Sequence, residues 1–167
     1  MKTYLDKNVY EAALERIAYC FQEFDNVLVA FSGGKDSGVL LNLCYNYADE
    51  HGLLDKLTMY HLDYEAQYQM TTEYVTRTFL EQFPGIRKMW YCVPIKAQSA
   101  CALGEPYWTP WDAAKKKLWV RAMPENPYVV HEGNLDVPFR HGMVDYEFQD
   151  KLSRHFAKKR GTTAVMV

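Results

Sequence analysis

The sequence predicts an α/β fold: a Rossmann-like parallel sheet of four strands in the order 3-2-1-4, with helices on both faces and an aromatic, proline-rich insertion before the last helix. Three observations carry this. Short β-branched runs alternate with stretches of helical period, which implies βαβ units and parallel pairing through right-handed crossovers. The first strand passes directly into Ser-Gly-Gly-Lys-Asp-Ser at 32–37, a tight polar turn from strand to helix. Between 96 and 142 both periods fail, while prolines and tryptophans accumulate.

Taken in order, Asn8 is placed to cap a first helix whose apolar stripe is Leu14, Ile17, Ala18 and Phe21, ending near Asp25. Val27 to Phe31 is short, apolar and bounded by Asp25-Asn26 and two glycines, the signature of a buried strand. From Asp36 the apolar positions Leu40, Leu43, Cys44 and Tyr47 follow a helical period up to Gly52. Leu57 to Leu62 reads as a second strand with His61 and Asp63 at its C-terminal end. A third helix is expected from Glu65 or Gln67 to Phe83, with Tyr68, Thr72, Val75 and Phe79 on its packed side, stopped by Pro84-Gly85. Lys88 to Val93 is a third strand. The insertion is expected to hold a helix from Asp112 to about Val120 and to lie over the ligand edge. The last helix, Tyr146 to Lys159, turns Phe148, Leu152 and Phe156 inward, and Thr162 to Val167 is the fourth strand. An apolar strand there invites a cover, so either a second chain pairs with it or the chain is a shortened form of something longer.

The length, 167 residues, suits one domain over 1–167. Hydrophobic residues make up 49% and charged residues 24%, which argues for an ordered globular core. A net charge of −2 gives no general reason to expect nucleic acid or an anionic membrane as partner. No apolar run approaches the roughly 18 residues of a membrane span, and MKTYLDKNVY leads straight into an amphipathic pattern, so the expected location is the cytoplasm. Cys20, Cys44, Cys92 and Cys101 lack metal-ligand spacing and read as small core residues.

The turn at 32–37 has the chemistry of a polyphosphate site. A helix N-terminus presents free N–H groups and the positive end of the helix dipole. Gly33 and Gly34 let the backbone approach closely, Ser32 and Ser37 can donate to phosphate oxygens, Lys35 supplies a charge, and Asp36 can hold Mg2+ or cap the turn. It is not a Walker A loop, because Val29 stands where that motif has its first glycine and Asp36 follows the lysine.

This stretch after an apolar strand resembles the PP-loop of the ATP pyrophosphatase and adenine-nucleotide alpha-hydrolase superfamily, in particular its phosphoadenosine phosphosulfate (PAPS) reductase-like branch. LDYEAQY at 62–68, W-x-x-WD at 108–112 and WVR at 119–121 resemble the IbrA-type subgroup, known as coactivators of prophage gene expression. The resemblance implies ATP or a PAPS-like adenine nucleotide with Mg2+, phosphates on residues 32–37 and adenine near the main chain of Ala30 and Leu62. It further implies adenylation of an acceptor with release of pyrophosphate, Lys35 and Asp63 being the catalytic candidates. A silent regulatory module that binds nucleotide and a protein partner is the alternative, and an RNA-modifying subunit a weaker one. PAPS reductases rely on a cysteine near the C-terminus; none follows Cys101, so sulfonucleotide reduction is not expected. IbrA-type relatives continue past the fourth strand into a Gly- and Arg-containing segment, so the chain reads as C-terminally shortened.

Other signals admit two readings each. Asp63 and Glu65 are either metal or ribose contacts, or a loop carboxylate and a helix N-terminal acid. Trp108 and Trp111 either stack a base or form the core of the insertion, and Arg121 either pairs with a phosphate or sulfate or belongs to a solvated or ion-paired face. Lys115 to Lys117 and the cations of the last helix are either an RNA surface or ordinary solvated charge.

Overall fold

Asn8 opens the first element of the computed structural model, which describes residues 6–99 and 103–166. Its side chain accepts from the Glu11 N–H while the Glu11 carboxylate accepts from the Asn8 N–H, a reciprocal cap on α1 (Val9–Glu23). There follow β1 (Asn26–Ala30), α2 (Lys35–Glu50), β2 (Leu57–Leu62), α3 (Gln69–Glu81) and β3 (Arg87–Cys92). The insertion holds an antiparallel ribbon of β4 (Ala97–Gln98) and β5 (Tyr107–Trp108), a kinked 3-10 helix at Ala113–Leu118, and β6 (Val129–His131). Last come α4 (Asp145–Arg160) and β7 (Thr163–Met166). Cys101 and Val167 lie outside the described residues.

The main sheet runs β6-β3-β2-β1-β7, and every pairing in it is parallel. The expected order 3-2-1-4 is found as β3-β2-β1-β7, and β6 adds a fifth strand from within the insertion at the β3 edge. Three residues between Pro127 and a turn at Gly133 are too few to show a strand period, so β6 leaves no periodic signal to read. The helix expected at 112–120 is instead a 3-10 segment broken at Lys115. Three consecutive lysines leave it no apolar stripe to bury, so nothing favours a longer regular helix there. The third helix starts later than expected, at Gln69, and Tyr68, expected on the packed side, is exposed.

Alternate residues of each strand serve opposite faces of the sheet. Val27, Val29, Met59 and Trp90 face α1, α2 and α3, meeting Phe21, Leu41, Val75 and Phe79. Leu28, Tyr60 and Tyr91 face α4, meeting Phe148, Leu152 and Phe156. The helices therefore cover both faces, three on one and α4 on the other. Cys44 and Cys92 are buried among these side chains, and burial pushes the Cys44 thiol up to about 12. Among the described residues, no helix is long and apolar enough to cross a membrane. The ladder continues past the strand ends, where Phe31 N–H donates to Tyr60 O and Asp63 N–H to Tyr91 O. This C-terminal edge, the usual place for ligands in such sheets, carries the candidate site.

Candidate functional site

β1 delivers the chain to Ser32 at the sheet edge, and α2 begins at Lys35. Between them Gly33 has φ of +83°, a backbone that L side chains rarely adopt. A Cβ there would also lie 2.8 Å from Val75 Cγ2 and 3.0 Å from Thr71 Cγ2, on α3. Glycine is thus required twice, for conformation and for space.

The turn is closed by a ring of short-range hydrogen bonds. Gly34 N–H donates to Ser32 Oγ (3.2 Å), and Ser37 Oγ donates back to Gly34 O (3.0 Å). Because the Ser37 proton is used there, the 2.9 Å contact between the two hydroxyls has Ser32 as donor. Ser32 N–H also donates to Ser37 Oγ (3.2 Å). Both hydroxyl protons are therefore committed within the loop, and the serines frame it instead of offering their protons to a ligand. The first helical bond of α2 is Gly38 N–H to Gly34 O (3.0 Å), so the N–H groups of Lys35, Asp36 and Ser37 lie in the unbonded first turn. The side chains of Lys35 and Asp36 are exposed beside them. The result is a preorganised anion cradle made of backbone amides and one ammonium.

Two concavities flank the cradle. On the α4 side a cavity of about 230 Å3 is lined by Ala30, Phe31, Ser32, Tyr60, Leu62, Tyr64 and Gln149. Its floor is fixed by Tyr60 Oη donating to Gln149 Oε1 (2.8 Å) and Tyr64 Oη to Asp145 Oδ2 (2.9 Å). Burial pushes the Tyr60 phenol up to about 12, so it stays a neutral donor. On the α3 side an open hollow of about 670 Å3 is bordered by Ala66, Gln67, Tyr68, Thr71 and Val120.

Asp63 is placed otherwise than the catalytic role required. Its side chain is fully enclosed, and both oxygens are occupied. Oδ1 accepts from Glu65 N–H (2.8 Å) and Arg121 Nη2 (2.5 Å), and Oδ2 from Arg121 Nη2 (2.7 Å) and Trp90 Nε1 (2.7 Å). With every acceptor direction filled, this carboxylate faces neither nucleotide nor acceptor. Glu65, at φ +65°, is buried too: Oε2 accepts from Trp111 N–H and Oε1 from Val120 N–H, each at 2.8 Å, while its carbonyl accepts from Arg121 Nε at 2.9 Å. Trp111 Nε1 donates to Asp63 O (2.7 Å), Trp119 stands edge-on to Trp111, and the Arg121 guanidinium lies 4.9 Å from the Trp111 ring centroid. The stretches LDYEAQY, W-x-x-WD and WVR thus meet in one buried clamp that ties the insertion across the sheet edge. Of the alternatives left open by the sequence, core holds for Trp111 and the ion-paired reading for Arg121, whose partner is Asp63.

His61 lies between loop and clamp. It is 1% exposed, and its Nδ1–H donates to Phe31 O (2.7 Å), directly before Ser32. Burial holds its pKa below the ordinary value against the opposing pull of Asp63. The ring is therefore a neutral prop beneath the loop.

Of the residues singled out from the sequence, Ala30, Ser32, Gly33, Gly34, Lys35, Asp36, Ser37 and Leu62 all stand at this edge, while Asp63 and Glu65 are turned into the clamp and are neither metal nor ribose contacts here. Tyr60, Tyr64 and Gln149 were missed. Tyr60 sits in an apolar strand and Gln149 on an amphipathic helix, where nothing local marks them as cavity walls.

No family model matches the chain. It is similar to the uncharacterized protein YbdN of Escherichia coli (strain K12), at 30% identity over 158 residues, which take in 93% of this chain. The chain spans 37% of the length of that curated relative.

Proposed function

We propose that the chain is a PP-loop adenine-nucleotide-binding domain of the PAPS reductase-like kind, taking ATP with Mg2+ and adenylating an acceptor with release of pyrophosphate. The observation that carries this reading is continuity. The amide cradle at 32–37 and the cavity beside Ala30 and Leu62 share Ser32, so one ligand with an anionic tail and a flat apolar head spans both. The cavity, walled by Tyr60, Tyr64 and Leu62, suits a purine. Lys35 and the first-turn amides of α2 then hold the β and γ phosphates. Asp36 is a lone exposed carboxylate, which suits a Mg2+ ion that takes most of its ligands from phosphates and water. An acceptor in the hollow bordered by Gln67, Thr71 and Val120 would attack the α phosphorus as the α–β bond breaks. Charge growing on the departing pyrophosphate would be met by Lys35 and the amides.

One observation favours a silent regulatory module instead: the described walls of the cavity include no carboxylate, histidine or lysine to move a proton. Pyrophosphate release separates the two. Calorimetric titration with ATP and Mg2+ is expected to show binding that Lys35→Ala weakens about tenfold or more, the size of a charged contact. Binding that Lys35→Ala leaves unchanged overturns the nucleotide reading. Binding without pyrophosphate release over a panel of nucleophilic acceptors favours the module.

A further inference from the structure

At the opposite edge of the sheet, where β3 begins and α4 ends, a cavity of about 200 Å3 is bordered by Arg87, Asp136, His155, Phe156, Lys159 and Arg160. It borders the N-terminal end of β3, whereas the phosphate loop follows the C-terminal end of β1 in the same parallel sheet. Cations outnumber acids there. The single carboxylate, Asp136, is already engaged: its Oδ2 lies 2.8 Å from Lys159 Nζ and 3.2 Å from His155 Nε2.

Arg87 and Arg160 have no such partner among the described residues. Arg87 is half-buried, yet its Nη1 donates only to the neutral Thr58 Oγ1 (3.1 Å), and its Cζ stands 5.9 Å from the Phe156 ring centroid. Burial first, and the Arg160 charge second, hold its pKa below the ordinary arginine value, against a weaker opposing pull from Asp55, with which it forms no ion pair. The negative end of the α4 dipole accounts for cations at Lys158, Lys159 and Arg160. It does not account for Arg87, which comes from β3 and is set against Arg160 across the same space. Two guanidinium groups brought together at a cavity wall, one of them partly desolvated, want an anion between them.

We propose that this cavity binds a small tetrahedral oxyanion of the phosphate class, clasped between Arg87 and Arg160 with Lys159 beside them. Each guanidinium presents a planar fork of donors matched to two oxygens of such an anion. The volume is below the roughly 300–1,000 Å3 of sites for drug-sized ligands, so it fits an inorganic anion or a terminal phosphate and not a whole nucleotide. This inference does not rest on the nucleotide reading.

The test is titration of the full chain with inorganic phosphate, followed by calorimetry, for the wild type and for Arg160→Gln, Arg87→Gln and Lys35→Ala. Binding to this cavity is expected, weakened about tenfold or more by each arginine substitution; Lys35→Ala removes only phosphate held at the loop and leaves this component in place. Arg160 is exposed at a helix end, so its substitution leaves the fold intact even if loss of the Thr58 bond disturbs Arg87→Gln. Absence of phosphate binding, equal affinity in Arg160→Gln, or a loss confined to Lys35→Ala overturns the proposal. So does tighter, steeply salt-dependent binding of a single-stranded oligonucleotide through the same arginines, which would make the surface an RNA contact.

Discussion

The phosphate loop and the Asp63 clamp lie at the same sheet edge and are built in opposite ways. The loop is exposed, and its bonds join residues 2 to 5 apart. The clamp is buried, and its bonds to the insertion join residues 46 to 58 apart. In the loop the first-turn helix amides and Lys35 have no partner among the described residues, while in the clamp each carboxylate oxygen has one. Open valences in a rigid frame are what a ligand site needs. Filled valences between distant segments are what holds such a frame. Asp63, a catalytic candidate by resemblance, and Glu65, a candidate metal or ribose contact, belong to the second kind.

The largest expected effect breaks the clamp. Arg121→Met leaves Asp63 enclosed without its cation, which for a buried pair costs about 3–5 kcal/mol. Urea unfolding should show a midpoint lowered accordingly, and an unchanged midpoint would mean that the pair contributes nothing. Adding Asp63→Leu should recover only part of the loss. Removing both charges relieves the unpaired ion, but the N–H groups of Trp90 and Glu65 then lose their acceptor.

This contrast also explains what was legible beforehand. The loop is contiguous, so glycines, serines and a lysine within six positions carried its chemistry openly. The inner strands and α4 were equally plain, since burial on one or both faces writes a period into the residues themselves. Glu65 was not plain, because its partners are the backbone N–H groups of Trp111 and Val120, and a main-chain donor has no letter in a sequence. A usable hint was present: Arg121 follows Trp119 by two residues in WVR, and a charge set among large apolar residues is almost never buried unless paired. The short β6 was illegible for want of length, and the 3-10 segment because its shape follows its anchors at Asp112 and Trp119 and not a stripe of its own.

Breaking the loop is expected to cost less in stability and more in binding. Gly33→Ala forces a side chain into a left-handed backbone and against Val75 Cγ2, a strain of about 1–3 kcal/mol. If the turn shifts to relieve it, the ring of bonds through Ser32 and Ser37 opens and the cradle loses its geometry. Loss of ATP binding with a modest fall in melting temperature is the expected pair of results. Retained binding would show that the cradle tolerates a moved backbone, contrary to the fixed frame inferred from the contrast.

The smallest effect concerns the histidine that joins the two regions. His61 is held neutral by burial, so its folded pKa lies below the ordinary value near 6.5, and the unfolded chain binds a proton that the folded chain does not. Stability is then full above that ordinary value and falls as pH drops through it, with a slope of at most about 1.4 kcal/mol per pH unit for one group. The fall levels off only below the depressed folded value. Asp25 and Asp136, both lowered by their hydrogen bonds, weaken the fold at more acidic pH and leave the window from about 6.5 to 5 to His61. Urea midpoints through that window should slope downward in the wild type and flatten in His61→Gln, whose amide can still donate to Phe31 O. A slope that persists in His61→Gln would place the titrating group elsewhere and remove the histidine as the prop between loop and clamp.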